Sequence, residues 1–370
     1  MLKGKIIVLS GINLFQGGPL SVYMDFIESL IRLGITAENT VTAFVYKKSL
    51  FYKYEKEINF IEIPISRKNY AYRLYYEWMY FYKYSIINKI DYWISLHDIT
   101  PNVKAKKLFT YCHNPSPFYI PGRIDLKYDK KMCLFSMFYN FLYKINIKKN
   151  SYVIVQQEWL RREFKKRFKI NNIIVAHPQD DSKILYNTSI RKESNPHDKI
   201  KFIYASYPRT FKNFEIICRA CEILPKEKNY QILLTINGTE NSYSKFLKQT
   251  YGSNEKIKWL GIQKRDKILQ LYQETDCMIF PSKLETWGLP ISEYKQTGKP
   301  IIMADLPYAH ETVGDYKKTA FFDVKSAEDL ANKMLNVIDN KEGIKQHSEE
   351  YIHQPYAQSW DDLCELLFNL

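Results

Sequence analysis

The order of apolar and amphipathic segments is the feature that most constrains this fold. Short apolar runs alternate with helix-length amphipathic stretches from one end of the chain to the other. Two series of strand candidates result, the first at 5–9, 41–46, 92–96, 107–112, 152–155 and 173–176, the second at 201–206, 231–236, 256–260, 277–281, 300–303 and 319–322. Strand–helix alternation is typical of parallel sheets that carry helices on both faces. The sequence therefore predicts an α/β fold made of two doubly wound domains.

The chain is long enough for two such domains. Its 370 residues exceed what a single core usually holds. A polar stretch rich in Asp, Ser and Asn separates the two series, with Pro178 and Pro196 at its edges, and linkers commonly have this composition. We therefore predict an N-terminal domain at 1–180, a linker at 181–199 and a C-terminal domain at 200–356.

No apolar segment is long enough to act as an export signal or a membrane-spanning helix. The first run, 6–9, stops at Ser10, and no later segment reaches about 18 residues without a charge. We therefore expect a cytoplasmic protein. The six cysteines are scattered, and Cys218 and Cys221 lie in a segment with helical periodicity. The further ligands of a structural zinc site do not accompany them, so we predict reduced core thiols and no metal.

The net positive charge of the chain comes from its N-terminal half. Residues 1–190 hold 29 Lys and Arg against 15 Asp and Glu, whereas residues 191–370 hold 25 Lys and Arg and 25 Asp and Glu. A one-sided basic field indicates an anionic partner, such as phospholipid head groups, a diphosphate-linked acceptor or nucleic acid. The alternative is a solvated, lysine-rich surface. Nucleic acid is the least favoured partner, because the sequence contains no nucleic-acid-binding motif.

Two aromatic segments in the basic half each allow two interpretations. Residues 70–84 are crowded with tyrosines at irregular spacing, which fits a structural helix or a contact with a groove or a membrane surface. Residues 157–169 form a basic amphipathic pattern with Trp159, Leu160, Phe164 and Phe168 on one side. Such a helix can lie on an anionic surface, or it can pack its phenylalanines into its own domain and turn its lysines to water.

Three loops that follow strand candidates carry candidate ligand-binding residues. Gly17 and Gly18 precede a helix, where glycines let the backbone approach an anion, although a plain tight turn fits equally well. His113 comes just after a strand, where open parallel sheets bind ligands, or it is a structural histidine. After the first strand of the second series, Arg209 and Lys212 stand before a helix, and two cations so placed suit a pyrophosphate.

A second strand–loop–helix segment carries two carboxylates. Glu285 lies on the loop, and Pro290 suits the first position of a helix, which places Glu293 in the first turn of that helix. The spacing of the two glutamates arises by chance in a chain of this composition, so the context gives it weight. A loop carboxylate can bind sugar hydroxyls and the second a ribose diol, while the N–H groups at Gly288 and Leu289 can meet donor atoms. The alternative role of Glu293 is to complement the helix dipole.

The segment FPSKLETWGLPISE, residues 280–293, closely resembles the signature of the family 4 retaining glycosyltransferases. WLGI at 259–262, the helix pattern at 265–276 and TGKPIIMAD at 297–305 match that family in the same order, and YPRTFKN and CHNPSPFY resemble its upstream elements. The resemblance is dense in the second series of strands and thin in the first.

The resemblance implies the GT-B architecture, in which two Rossmann-like domains face each other across a cleft and the helix at 357–370 returns to the first domain. It implies that Arg209 and Lys212 bind the diphosphate, that Glu293 binds the ribose and that Glu285 contacts the transferred sugar. The donor-binding residues that it implies are Gly18, Arg209, Lys212, Gly261, Ile262, Glu285, Trp287, Gly288, Leu289 and Glu293, and the catalytic residues are Glu285, Lys212, Arg209 and His113.

The function that the resemblance implies is a retaining, metal-independent glycosyltransferase. Its donor is a nucleotide sugar, linked to UDP or GDP, and its acceptor is a glycan or a polyprenyl-diphosphate-linked sugar of a surface polysaccharide such as O-antigen, lipopolysaccharide or capsule. The basic N-terminal half then predicts a peripheral position on the inner face of the cytoplasmic membrane. The alternatives are a GT-B nucleotide-sugar epimerase and a basic nucleic-acid-binding protein.

Overall fold

The computed structural model describes residues 3–178, 199–339 and 351–370. The linker predicted at 181–199 lies outside these residues, apart from Lys199. The chain forms two compact units. Unit 1 comprises Met1–Phe118, Ser136–Gln179 and Ile352–Leu370, and unit 2 comprises Tyr119–Phe135 and Asp180–Tyr351. The domain boundaries predicted from the sequence stay predictions, and the segment Tyr119–Phe135 clusters with the second unit.

Unit 1 is built on an eight-stranded sheet in which every pairing is parallel. Its strands are β1 (Ile6–Gly11), β2 (Thr40–Val45), β3 (Asn59–Glu62), β4 (Ile90–Ser95), β5 (Ala105–Cys112), β6 (Tyr152–Val155) and β7 (Ile173–Ala176), with β14 (Tyr356–Ala357) at the end of the chain. The order β14-β7-β6-β5-β4-β1-β2-β3 places β1 between β2 and β4, so the direction of winding reverses there. Ligands bind at such a point in open parallel sheets.

The α-helices of unit 1 are α1 (Gly17–Arg32), α2 (Ile35–Glu38), α3 (Tyr70–Tyr75), α4 (Phe81–Asn88), α7 (Glu158–Phe168), α14 (Trp360–Asn369) and the greater part of α6 (Lys130–Lys144). α5 (Arg123–Tyr128) and the first residues of α6 belong to unit 2. The tyrosine-rich segment is interrupted, because a π-helical turn, Tyr76–Tyr80, separates α3 from α4. The last helix, α14, packs on α1 within unit 1, where Trp360 contacts Phe26 and Asp361 accepts a hydrogen bond of 2.5 Å from Ser29.

Unit 2 repeats the same plan with six parallel strands. They are β8 (Ile200–Tyr204), β9 (Tyr230–Leu234), β10 (Ile257–Trp259), β11 (Cys277–Phe280), β12 (Ile301–Ala304) and β13 (Thr319–Phe322). The helices between them are α8 (Phe214–Ile223), α9 (Ser242–Tyr251), α10 (Arg265–Glu274), α11 (Leu289–Lys295), α12 (Pro307–Val313) and α13 (Ala327–Ile338). The order β10-β9-β8-β11-β12-β13 again reverses beside the first strand, between β8 and β11. The prediction of two doubly wound, Rossmann-like domains is confirmed.

The structure decides between the two interpretations of the basic segment at 157–169. In α7, the side chains of Leu160, Phe164 and Phe168 are buried, and Phe164 and Phe168 contact Tyr143. The apolar side of this helix therefore belongs to the core of unit 1. The alternative, in which that side lies on a membrane, is wrong.

Five of the six cysteines are buried, and Cys133 is partly exposed. Cys218 and Cys221 lie in α8, both are buried, and burial raises the pKa of each thiol. Across residues 3–178, 199–339 and 351–370, no three His, Cys, Asp or Glu side chains come together as a metal site would need. Within the same ranges, none of the helices is both long enough and apolar enough to cross a bilayer.

Candidate functional site

The candidate site of unit 2 is formed by the loops that follow two neighbouring strands. β8 and β11 are paired, with Phe202 opposite Cys277, so both loops emerge at the same edge of the sheet. The backbone N–H of Lys283 donates a 2.7 Å hydrogen bond to the carbonyl of Phe211 and ties the two loops together. This edge is where the winding reverses, and it brings the predicted loop residues within reach of one another.

Lys212 and Glu285 meet at this edge. The Lys212 Nζ donates a short hydrogen bond to Glu285 Oε1, and the side chains are 19% and 14% exposed. A lysine and a glutamate from different loops thus form one partly buried ion pair. The ammonium can neutralise a phosphate oxygen, and the carboxylate can accept hydrogen bonds from sugar hydroxyls.

Backbone contacts hold both members of the pair. Lys212 ends a short 3-10 turn, and Asn213 follows it in the left-handed region with φ of 57°. The Asn213 side chain donates 3.2 Å hydrogen bonds to the carbonyls of Pro281 and Val324, which fixes the turn against the loop after β11. Lys212 therefore lies on a turn that Asn213 ties by a hydrogen bond to Pro281, just after the strand that leads to Glu285.

Two buried tyrosines secure the same loops. Tyr204 donates a 2.9 Å hydrogen bond to the carbonyl of Lys212, and Tyr308 donates one of 2.7 Å to the carbonyl of Ser282. Burial raises the pKa of both phenols well above the usual value, and the negative charge of Glu285 raises them further. Both hydroxyls therefore stay protonated and act as permanent donors to the loop backbone.

Arg209 binds a carboxylate that the sequence did not indicate. Its Nε donates to Asp129 Oδ2 at 2.6 Å and its Nη2 to Asp129 Oδ1 at 3.2 Å, a bidentate pair within unit 2. Arg209 and Lys212 therefore bind different carboxylates, although both cations lie in the loop after β8. Asp129 is 80 residues away along the chain and belongs to no motif, so no sequence signal pointed to it.

Trp287 lies just before α11, and Glu293 lies within it, beyond the first turn, so the predicted first-turn position of Glu293 is wrong. Glu293 Oε1 lies 2.7 Å from Nη2 of Arg265, and the Trp287 indole N–H donates a 3.0 Å hydrogen bond to the Ser292 hydroxyl. Gly288 precedes the helix with φ of 85°, where an added Cβ would come within 2.9 Å of a carbon of Ile291. Only glycine fits this turn without strain. Leu289, the first residue of α11, is exposed.

Gly261 and Ile262 follow β10, further along the same edge of the sheet. Gly261 has φ of 70°, and a Cβ there would lie 3.2 Å from the side-chain nitrogen of Asn237. Ile262 is exposed. A left-handed glycine beside an exposed apolar side chain can accommodate a flat ring such as a nucleobase.

The remaining two predicted residues lie in unit 1, at the carboxyl edge of its sheet. His113 follows β5, and its backbone N–H donates a 2.8 Å hydrogen bond to Asp98 Oδ1, while its Nε2 lies 3.4 Å from Asp98 Oδ2. Burial lowers the pKa of His113, although the charge of Asp98 opposes that shift. The imidazole is therefore neutral at pH 7. Gly18 lies in the first turn of α1, and an added Cβ would meet no atom within 4 Å.

A second ion pair supports the loop after β11. Lys283 Nζ lies 3.0 Å from Glu215 Oε1, and Tyr243 donates a short hydrogen bond to the other oxygen of the same carboxylate. Glu215 is buried in the first turn of α8, directly after the 3-10 turn that ends at Lys212. Lys283 stands inside the sequence motif, but neither Glu215 nor Tyr243 was singled out, because their spacing shows no pattern.

The fold defines a class of protein. Two parallel-sheet, Rossmann-like units are the arrangement of GT-B-type proteins. Residues 186–354 match the family described as "Glycosyl transferases group 1". All six strands of the second unit lie within the matched residues.

Comparison with curated proteins gives glycosyltransferase relatives. The O-antigen chain mannosyltransferase RfbU of Salmonella typhimurium is 22% identical over 209 residues, which cover 54% of this chain and 53% of RfbU. The O-antigen chain mannosyltransferase B of Escherichia coli is 30% identical over 118 residues, 30% of this chain and 31% of the relative. The chain thus spans about half of RfbU and about a third of mannosyltransferase B.

Solved structures match over nearly the whole chain. The lipopolysaccharide outer core galactosyltransferase WaaB, in its apo form, superposes with a TM-score of 0.68 at 13% identity, covering 99% of each chain. A glycosyltransferase from Rickettsia africae gives a TM-score of 0.62 at 17% identity, covering 100% of this chain and 93% of the other. At these identities the likeness establishes the fold, which confirms the predicted GT-B class.

Proposed function

We propose that this protein is a retaining glycosyltransferase. It moves a sugar from a nucleoside-diphosphate donor to a glycan or lipid-linked acceptor in the synthesis of a surface polysaccharide. The observation that carries the proposal is the Lys212–Glu285 ion pair at the reversal point of unit 2, within the residues that match the family. A cation for phosphate and a carboxylate for sugar hydroxyls stand side by side there, as a nucleotide sugar requires.

In this proposal, each part of the donor has its own residues. Lys212 and Arg209 bind the diphosphate, since ammonium and guanidinium groups suit phosphate oxygens. Glu285 accepts hydrogen bonds from the sugar, and Glu293 accepts them from the ribose diol. The residues beside the donor are Trp287, Gly288 and Leu289 at the start of α11, Gly261 and Ile262 near the base, and His113 and Gly18 from unit 1.

The proposed reaction needs no protein nucleophile. The bond between the anomeric carbon and the diphosphate oxygen breaks as the acceptor oxygen forms a bond to the same carbon on the same face. The acceptor proton passes to an oxygen of the departing diphosphate, which leaves as the free nucleoside diphosphate. Lys212 and Arg209 stabilise the charge that develops on this leaving group, so the side chains take the role that a metal plays elsewhere.

The proposed sugar, acceptor and location follow from the relatives. Several curated matches are named as O-antigen or serotype-specific mannosyltransferases, so mannose is the first sugar to test, with UDP- and GDP-linked donors both included. An acceptor carried on a polyprenyl diphosphate would be presented at the inner face of the cytoplasmic membrane. We propose that the protein acts there as a peripheral enzyme.

The first experiment is a thermal-shift panel of UDP- and GDP-linked sugars, since a ligand that binds the native state raises its melting temperature. The sugar that raises the melting temperature is then incubated with acceptor lipids, and nucleoside diphosphate release is measured for the wild type and for Glu285→Gln. We expect release that depends on the acceptor and falls at least about 100-fold in the variant. Full turnover in Glu285→Gln would refute the site.

The product distinguishes a retaining transferase from an inverting transferase and from an epimerase. NMR of the product should show the anomeric configuration of the donor, because retention is proposed. An inverted product would refute the retaining mechanism but would remain consistent with a transferase activity. Release of nucleoside diphosphate without acceptor, together with a changed sugar, would favour an epimerase instead.

A further inference from the structure

Helix α6 carries apolar side chains on both of its sides. One side is buried, and it consists of Met132, Ser136, Tyr139, Leu142 and Tyr143. The opposite side is exposed and is also apolar. Leu134 is 68% exposed, Met137 73%, Phe138 37% and Phe141 60%. We call these four residues the apolar face of α6.

This face departs from what a surface helix normally shows. The four positions follow a spacing of three, one and three residues, which places them on one stripe of the helix. In a helix that packs on a core, the stripe opposite the core is polar. The Phe138 ring also contacts the half-exposed ring of Tyr70 from α3, with centroids 5.1 Å apart, so the exposed apolar surface extends from α6 to α3. A contiguous exposed apolar patch marks an interaction site.

Basic residues frame the same face. The helix begins with Lys130 and Lys131, and Lys144 lies in its last turn. Lys148 and Lys149 follow directly after it, and all five lysines are exposed. An apolar stripe with lysines at both ends is typical of helices that lie in the interface of an anionic bilayer, because the apolar side chains enter the acyl region while the ammonium groups contact head groups.

The charge of the chain favours this partner over a protein surface. Residues 1–190, which include α6, carry 29 Lys and Arg against 15 Asp and Glu. Such a field attracts an anionic membrane and opposes the self-association of two like-charged copies. α7, the other basic helix with an apolar side, has that side buried in the core and cannot provide the contact.

We propose that the apolar face of α6 docks the protein on an anionic lipid surface. The surface would serve the proposed function, since a lipid-linked acceptor is reached from the bilayer, but the docking itself needs neither donor nor acceptor. A test of binding without substrates therefore separates this proposal from the proposed activity. A protein that binds lipid but transfers no sugar would refute only the function.

The experiment is flotation of the purified full chain with vesicles of phosphatidylcholine alone and with about one-third phosphatidylglycerol, at about 0.1 M and about 1 M salt. We expect binding to the anionic vesicles at the lower salt and weaker binding at the higher salt. The variant Met137→Gln/Phe141→Gln should reduce the partition coefficient at least about tenfold, because it removes two apolar side chains from the face that would enter the bilayer.

Matched variants separate docking from other effects. Tyr52→Gln/Ile87→Gln also replaces two exposed apolar residues of unit 1, on other elements, and should bind as the wild type does. Phe141→Leu keeps the apolar character and should retain binding. Unfolding temperatures of all variants are measured in parallel, and equal values would show that lost binding is not lost folding.

Three results would overturn the proposal. The first is a wild type that does not bind anionic vesicles at the lower salt. The second is a Met137→Gln/Phe141→Gln variant that binds as tightly as the wild type. The third is a wild-type dimer that the same substitutions dissociate while vesicle binding stays unchanged, because a second copy of the chain would then cover the face.

Discussion

Replacing Lys212 by methionine tests the candidate site most directly. Methionine keeps much of the length and apolar volume of the lysine side chain but removes its charge. In the wild type, Lys212 contacts Glu285 across the two loops, and both side chains are less than one-fifth exposed. The variant leaves the Glu285 carboxylate without this cation. Two quantities should change, the stability of unit 2 and the rate of sugar transfer.

The expected loss of stability is modest. Breaking a fully buried ion pair costs about 3–5 kcal/mol, and an exposed pair contributes about 0–1 kcal/mol. The Lys212–Glu285 pair lies between these limits, because water still reaches both side chains. We expect the free energy of unfolding to fall by about 1–2 kcal/mol. The native state should therefore remain populated, and activity can be measured.

The expected loss of rate is larger. Removing one preorganised group that stabilises developing charge lowers kcat by about 100- to 1,000-fold, or about 3–4 kcal/mol in the activation free energy. We expect this loss in Lys212→Met, measured as nucleoside diphosphate release at saturating donor and acceptor. Because the loss of rate exceeds the loss of stability, destabilisation alone cannot produce it.

Lys228→Met provides the matched control. Lys228 lies in the same unit, just before β9, and its Nζ is 2.6 Å from Asp339 Oδ1 in an ion pair that is more exposed, with side chains 31% and 20% exposed. Its removal should change stability by about 1 kcal/mol and leave kcat unchanged. If Lys212→Met kept kcat within about threefold of the wild type, the assignment of Lys212 to the leaving group would be refuted. An equal loss in Lys228→Met would show that the assay reports stability rather than chemistry.

Three further substitutions test other parts of the structure. Gly288→Ala should lower the free energy of unfolding by about 1–3 kcal/mol, because the φ of 85° and the Cβ clash at 2.9 Å disfavour a side chain at this position. Gly18→Ala should change the free energy of unfolding little, and urea denaturation of the two variants tests the difference. The Asp361 pKa is held below its usual value chiefly by hydrogen bonding from Arg32, so its stabilisation is present at neutral pH and lost as pH falls below about 4. Asp361→Asn should be less stable than the wild type at pH 7, and equal free energies of unfolding there would contradict this. The His113 pKa is lowered by burial, so the unfolded chain binds the proton more readily and stability should fall as pH drops below about 6.5; a His113→Gln variant with the same pH dependence as the wild type would rule this out.

Much of the fold could be predicted because buried parallel strands leave a strong signal. The predicted strands at 152–155, 173–176 and 319–322 coincide with β6, β7 and β13, and each is a run of apolar or aromatic residues between polar loops. β3 was missed because NFIE is only four residues long and polar at both ends. β14 was missed because a strand of two residues has no pattern to detect.

The candidate site could be predicted only where a motif covers it. Lys212 and Glu285 were both named from their loops, and the parallel pairing of β8 and β11 explains why they meet. Asp129 could not be found, since its contact with Arg209 depends on how the segment at 119–135 packs in unit 2. The apolar face of α6 was missed for a different reason. A helix that is apolar on both sides has no periodic signal that shows which side faces water.

The carboxylates that hold Arg209 and Lys212 fit a binding role for both cations better than a purely structural role. The two hydrogen bonds to Asp129 use two of the five N–H donors of the Arg209 guanidinium, so the remaining donors can bind a phosphate without breaking that pair. The Lys212 ammonium likewise has three donors, and its contact with Glu285 uses one of them. Arg209 is 37% exposed and Lys212 19%, so an incoming anion can reach both. Under the proposed function, each carboxylate orients its cation before the diphosphate binds, which reduces the side-chain entropy lost on binding.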